Sequence, residues 1–90
     1  MYIKDVVIRN SSGLHARPAS DFVSCAKGFE AKITLTDPET GESVNAKSIV
    51  MLLSLGLPQG RKITLSASGA DEIQAVDTLV SLIDAGFGEL

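Results

Sequence analysis

Along this chain the spacing of apolar residues switches repeatedly between the two-residue period of a strand and the 3.6-residue period of a helix. Tyr2, Lys4, Val6 and Ile8 share one side of an alternating segment, and the apolar members of that set face the core in a predicted first strand. Asn10-Ser11-Ser12-Gly13 turns the chain. Ala19, Phe22, Val23 and Ala26 then fall at helical spacing, which predicts a helix from about Ala16 to Lys27 with Gly28 as its stop. Ala31, Ile33 and Leu35 alternate with Lys32, Thr34 and Thr36 in a second strand with one wet face. The turn cluster Asp37-Pro38-Glu39-Thr40-Gly41 and the pair Val44 and Ala46 predict a hairpin into a short third strand.

Ile49, Leu52 and Leu53 have the spacing of a short helix from about Ser48 to Leu55, ended by Gly56 and Pro58. Ile63, Leu65 and Ala67 mark a fourth strand between Gly60 and Gly69. The last helix carries the stripe Ile73, Val76, Leu79, Val80 and Ile83; Ser68 or Asp71 is placed to cap it, and Asp71 and Glu72 suit the positive end of its dipole. The order is βαββαβα. Confining the helices to one sheet face gives an α+β fold, a two-layer open-faced sandwich.

Composition narrows the class. Ninety residues, 44% hydrophobic and 21% charged, suit one domain spanning 1–90. A net charge of −3 and a pI near 4.9 argue against nucleic-acid binding and favour a partner with a basic surface. The single cysteine, Cys25, cannot close an intramolecular disulfide, and one His with one Cys cannot complete a usual zinc site, so no metal or other cofactor is expected. Cys25 lies off the centre of its helix stripe and reads as a packing residue. Met1 to Arg9 contain Lys4, Asp5 and Arg9 and no long apolar run, so neither a signal peptide nor membrane insertion is expected, and the protein reads as cytoplasmic.

Chemistry concentrates in Gly13-Leu14-His15-Ala16-Arg17-Pro18-Ala19, which places the only histidine where a strand ends and a helix begins. Backbone amides in a first helical turn have no intrahelical acceptor and lie at the positive end of the dipole, so an anion is welcome there. Pro18 is tolerated in the first turn but disfavours a helical Arg17, which blurs the start by a residue or two. A neutral imidazole is a nucleophile able to form a covalent intermediate, and the dipole disfavours its charged form. Arg17 offers a planar donor fork suited to phosphoryl oxygens. On spacing alone, a single His beside Gly and Pro is more often a surface or capping residue. In the second helix the run Ile49-Val50-Met51-Leu52-Leu53 is more apolar than one buried face needs; it is either partly exposed for docking or fully buried.

Gly13-Leu14-His15-Ala16-Arg17-Pro18-Ala19 resembles the active-site signature of the HPr family, phosphocarriers of the bacterial phosphoenolpyruvate-dependent phosphotransferase system. Asn45-Ala46-Lys47-Ser48-Ile49, followed by Ser54-Leu55-Gly56, is similar to the family's second signature, and Gly69-Ala70-Asp71-Glu72 matches the approach to its last helix. The resemblance implies a four-stranded antiparallel sheet in the order 1-4-2-3 with three helices on one face. It implies that His15 accepts a phosphoryl group on Nδ1 from enzyme I and passes it to an enzyme IIA protein or domain, with Arg17 stabilising the phosphate. Ser48 matches the regulatory serine, the target of HPr kinase/phosphorylase where that enzyme exists; a plain N-cap is the other reading, and the two are compatible. Val50, Met51 and Leu52 fall on the expected docking face, and a monomer is expected.

Val50-Met51 stands where many members carry Met-Gly, and the hairpin from Asp37 to Ser43 is longer than usual, which bears on partner choice. Gly28-Phe29-Glu30-Ala31 and Ala85-Gly86-Phe87-Gly88-Glu89 look more like the nitrogen-branch carrier than the sugar-uptake one. The competing class is a regulatory binding module of the same fold, gated by phosphorylation of Ser48, in which the histidine is incidental. Such a module needs neither His15 nor Arg17.

Overall fold

The computed structural model describes residues 1–89. Strand β1 (Tyr2–Val7) leads to helix α1 (Ala16–Lys27), then to the hairpin of β2 (Lys32–Asp37) and β3 (Glu42–Asn45). Helix α2 (Ile49–Ser54), strand β4 (Lys62–Ser68), helix α3 (Glu72–Asp84) and a short 3-10 turn (Gly86–Gly88) complete the chain. The four strands form one antiparallel sheet in the order β1-β4-β2-β3. Central pairing sets Leu35 opposite Leu65 and Ile33 opposite Ala67, so the apolar residues of β2 and β4 share the face under the helices. Across β1 and β4 the register places Val6 opposite Ile63. Thr34, Thr36, Thr64 and Ser66 occupy the opposite, uncovered face and stay partly accessible.

One core lies between the layers. Phe22, Ile33, Leu35, Leu52, Leu57, Ile63, Leu65, Leu79 and Ile83 are buried there, and Ala19 and Ala26 of α1 let that helix approach closely. Two apolar stripes differ from the spacing-based expectation. In α3, Ile73 is 58% exposed and Ala75 takes its place beside Val76, Leu79 and Ile83. At 100° per residue, Ile73 sits about 200° from Ala75, so it belongs to the solvent side despite its character. In α2 only Leu52 is buried, while Ile49 and Leu53 are exposed.

Residues far apart in sequence brace the ends of the sheet. Asp71 begins α3, but its carboxylate makes no capping bond there. Its oxygens instead accept from the backbone N–H of Glu30 at 2.9 Å and of Ala31 at 2.8 Å, tying α3 to the loop that enters β2. Glu72 accepts from the Gly69 N–H, so it, and neither expected cap, bonds at this terminus. Close packing accompanies the tie, because a Cβ on Gly69 would lie 2.8 Å from the Ala31 Cα. Lys47 Nζ adds a bond to the Phe29 carbonyl. At the opposite end, Asp37 is buried and accepts from Arg61 Nη1 at 2.6 Å and from the Glu39 N–H at 3.0 Å, while Arg61 Nε also reaches the exposed Glu39 carboxylate. Sequence spacing marked Asp37 only as a turn residue.

Two stability predictions follow from these braces. Removing Arg61 leaves the Asp37 carboxylate buried without its cation, so Arg61→Ala should cost about 3–5 kcal/mol in urea unfolding, whereas Glu39→Ala should stay within about 1 kcal/mol. Equal losses for the two variants would show that Arg61 acts through its exposed contact. For Asp71, the Glu30 amide above all, then the Ala31 amide and the Lys47 charge, hold the carboxyl below its ordinary value of 3.8. A depressed folded pKa means stability that is present above about pH 4 and lost as pH falls through the folded value. Asp71→Asn should therefore be less stable than the native chain by a constant margin at pH 5–7, and that margin should shrink below pH 4.

Candidate functional site

Backbone geometry sets the site before any side chain does. After β1, Ile8 N–H donates to the Arg61 carbonyl and Gly60 N–H returns a bond to the Ile8 carbonyl, lacing the chain leaving β1 to the loop entering β4. Asn10 to Gly13 close a turn through Gly13 N–H to Asn10 O at 3.1 Å, and Leu14 N–H donates to the Leu57 carbonyl at 3.0 Å. Gly13 has φ +68, and a Cβ there would lie 2.4 Å from the Leu57 oxygen, so this position requires glycine on both conformational and steric grounds. Leu14 is buried, and the next residue, His15, emerges into solvent.

His15 occupies the N-cap position of α1 in extended conformation (φ −129, ψ 164), and its side chain makes no capping bond. The ring is therefore not used to satisfy the helix end. Ala16 follows at φ +50, left-handed for a residue with a Cβ, a conformation that costs of order 1 kcal/mol or more. The helix ladder starts with a long bond, Ala19 N–H to His15 O at 3.5 Å. Pro18, third in the helix and buried, has no N–H, so the amides of Ala16 and Arg17 are the open donors of this turn. Arg17 is exposed and has no ion-pair partner among the described residues. An exposed imidazole, open amides and an exposed guanidinium thus belong to three consecutive residues at one helix start.

Ser48 lies at the N-cap of α2, where its hydroxyl accepts from the Met51 N–H at 3.3 Å. That helix presents Ile49, Val50, Met51 and Leu53 to solvent, with Val50 the most exposed at 75%. Leu52, expected among the docking residues, is instead fully buried: it is the one side chain by which this short helix is anchored to the core, and it is unavailable to a partner. Leu53, which helical spacing groups with Ile49 and Leu52, is exposed.

Sequence reasoning missed the contribution of the far end of the chain. An open cleft of about 350 Å³ lies beside the first turn of α1, lined by Arg17, Pro18 and Asp21 on one side and Phe87, Gly88 and Glu89 on the other. Glu89 Oε1 accepts from Ser12 Oγ at 3.0 Å and from Asn10 Nδ2 at 3.1 Å. Asn10 is fully buried and also donates to the Gly13 carbonyl. The only foreshadowing in sequence was the Gly-Phe-Gly spacing after α3. No helix among the described residues is long and apolar enough to cross a membrane.

Residues 3–85 match the family model for the PTS HPr component phosphorylation site. The chain is 53% identical over 83 residues to the phosphocarrier protein HPr of Haemophilus influenzae, covering 92% of this chain and 95% of that protein. It is 38% identical over 84 residues to the phosphocarrier protein NPr of Proteus mirabilis, covering 93% and 92%. Among solved structures, HPr-C-His from Thermoanaerobacter tengcongensis superposes with a TM-score of 0.96 at 44% identity, covering 100% of this chain and 99% of that one. Strand order, helix placement and these likenesses agree: the chain belongs to the HPr family of phosphotransferase-system phosphocarriers.

Proposed function

We propose that the chain accepts a phosphoryl group from enzyme I on His15 and delivers it to an enzyme IIA protein or domain. The observation that carries this reading is the exposed, unbonded His15 ring at a helix mouth with open amides and Arg17 beside it. The uncharged ring directs the Nδ1 lone pair at phosphorus. A new P–N bond forms as the donor's bond to phosphorus breaks in line, and the donor keeps that electron pair. Negative charge on the three phosphoryl oxygens meets the Ala16 and Arg17 amides and the Arg17 guanidinium. Delivery is the reverse step toward an acceptor nucleophile, and the open site leaves phosphorus reachable from the side opposite the ring. The exposed apolar residues Ile49, Val50, Met51 and Leu53 supply a docking face for both partners.

Ser48 is the regulatory position in this reading. A phosphate there adds about −1.5 to −2 charge at a helix N-terminus that tolerates it, and sets that charge next to the apolar docking residues. Folding is preserved while partner contact is weakened. Likeness to both HPr and NPr relatives is compatible with cargo passing to sugar uptake or to the nitrogen-related branch.

His15→Ala should remain folded and lose all acid-labile label on incubation with enzyme I and phosphoenolpyruvate; retained label in that variant would place the acceptor elsewhere. With the native chain, transfer of label to sugar-branch and nitrogen-branch IIA acceptors identifies the cargo route. Ser48→Asp should raise KM for the chain as an enzyme I substrate several-fold with little change in kcat. An unchanged KM would mean that charge at Ser48 does not govern docking, and would favour a plain capping role.

A further inference from the structure

The segment after α3 is built as a strap across the base of the His15 loop. Gly86 (φ +64), Phe87 (φ +55) and Gly88 (φ +78) all adopt left-handed backbone, and Glu89 N–H bonds back to the Gly86 carbonyl at 2.9 Å. Two of the three positions are glycines, but Phe87 holds this conformation against its own preference, with its ring packed on the core. The reversal delivers the Glu89 carboxylate to residues 10 and 12, more than seventy positions earlier in the chain.

There the contacts form a closed triangle. Asn10 Nδ2 lies 3.1 Å from Ser12 Oγ and 3.1 Å from Glu89 Oε1, and Ser12 Oγ lies 3.0 Å from the same Glu89 oxygen. One Asn10 hydrogen serves the Gly13 carbonyl at 2.9 Å; the other is shared between Ser12 and Glu89, and the Ser12 hydroxyl hydrogen points at Glu89. The loop so held runs directly into Leu14 and His15. Without Glu89, Ser12 loses its acceptor, and Asn10 is the one side chain left bonding within the turn, beside the backbone bond of Leu14 to Leu57.

We propose that Glu89 is a positioning residue for phosphoryl transfer, acting through Ser12 and Asn10 to fix the loop that aims His15. The proposal rests on the His15 acceptor reading and extends it: docking is left to α2, and the strap governs whether the docked ring is aligned. In-line displacement is sensitive to small misplacement of the attacking atom, so a loosened loop should lower the rate of the docked complex and leave its formation unchanged.

Three variants and two readouts decide it. Glu89→Ala removes the acceptor, while Glu89→Gln retains an oxygen able to accept both bonds and loses only the charge. In amide hydrogen exchange, Gly13 and Leu14, which bond to Asn10 and Leu57, should exchange about ten-fold faster in Glu89→Ala, with the amides of the central strands unaffected; Glu89→Gln should match the native chain. With enzyme I and phosphoenolpyruvate, kcat for Glu89→Ala should fall about ten-fold at constant KM, and Glu89→Gln should restore most of it. Phe87→Ala, which keeps the carboxylate but frees the strap, should reproduce the Glu89→Ala exchange pattern. Unchanged exchange in Glu89→Ala overturns the tether, and equal kinetic loss in Glu89→Gln would assign the effect to charge. A change in KM in place of kcat would make Glu89 a docking residue. Should the native chain take no label at all, the acceptor reading falls and positioning with it, while the exchange experiment still judges the contact itself.

Discussion

Everything at the candidate site depends on how closely two loops approach. The Gly13 Cα sits so near the Leu57 carbonyl that no side chain fits between, and the Leu14 N–H makes its bond to that same oxygen. The contact joins the chain leaving β1 to the chain entering β4, adjacent antiparallel neighbours in the sheet. Because Leu14 and Leu57 are both buried at this junction, the direction of the next residue is set by core packing. His15 therefore projects outward through backbone geometry, and no hydrogen bond from its own ring is needed to keep it there. Among the described residues the ring has no hydrogen-bond partner, as the proposed acceptor role requires.

The same junction is braced from two sides. Arg61, whose carbonyl receives the Ile8 N–H, is itself held by the buried Asp37 carboxylate at the tip of the β2–β3 hairpin. From the other side, Glu89 reaches Ser12 and Asn10. Left-handed Ala16 and left-handed Phe87 lie on either side of the arrangement, and such conformations persist only where surrounding contacts over-determine them. Local backbone cost is thus accepted at the entry to α1 and, at Phe87, on the wall of the cleft facing Arg17, where loosely held loops would be the cheaper solution.

What the sequence made legible follows from which interactions leave a periodic trace. Strands with one covered face alternate, and β2 and β4 were readable to within a residue because their inward sets, Ile33 with Leu35 and Ile63 with Leu65, are uninterrupted. Helix α1 was equally plain, since Ala19, Phe22, Val23 and Ala26 are all buried. Errors arose where apolar character and burial part company. Ile73 and Leu53 look like core residues yet face solvent, and Leu52 looked like part of an exposed patch yet is the anchor of α2. A helix of six residues has too few turns to fix its own phase. The site's histidine and arginine stood out through adjacency in one motif. Asp37 with Arg61, Asp71 with Glu30 and Ala31, and Glu89 with Ser12 gave no such sign, because a pair separated by tens of residues has no spacing rule to obey.

Openness at the site has a chemical rationale in the carrier reading. A group that must be received from one protein and surrendered to another cannot be enclosed, since closure that excludes water also excludes the second partner. Stabilisation by two amides and one guanidinium is modest, and that suits a carrier: each extra contact that holds the phosphoryl group before transfer raises the barrier to passing it on unless the contact strengthens in the transition state. Selectivity must then come from outside the reacting atoms. In the proposed relay it falls to the four exposed apolar residues of α2, supported on a single buried leucine, in a chain of net charge −3. On that proposal, alignment of the ring and choice of partner are vested in different parts of the fold, the loop junction and the α2 face, so that a change in one alters rate without altering recognition.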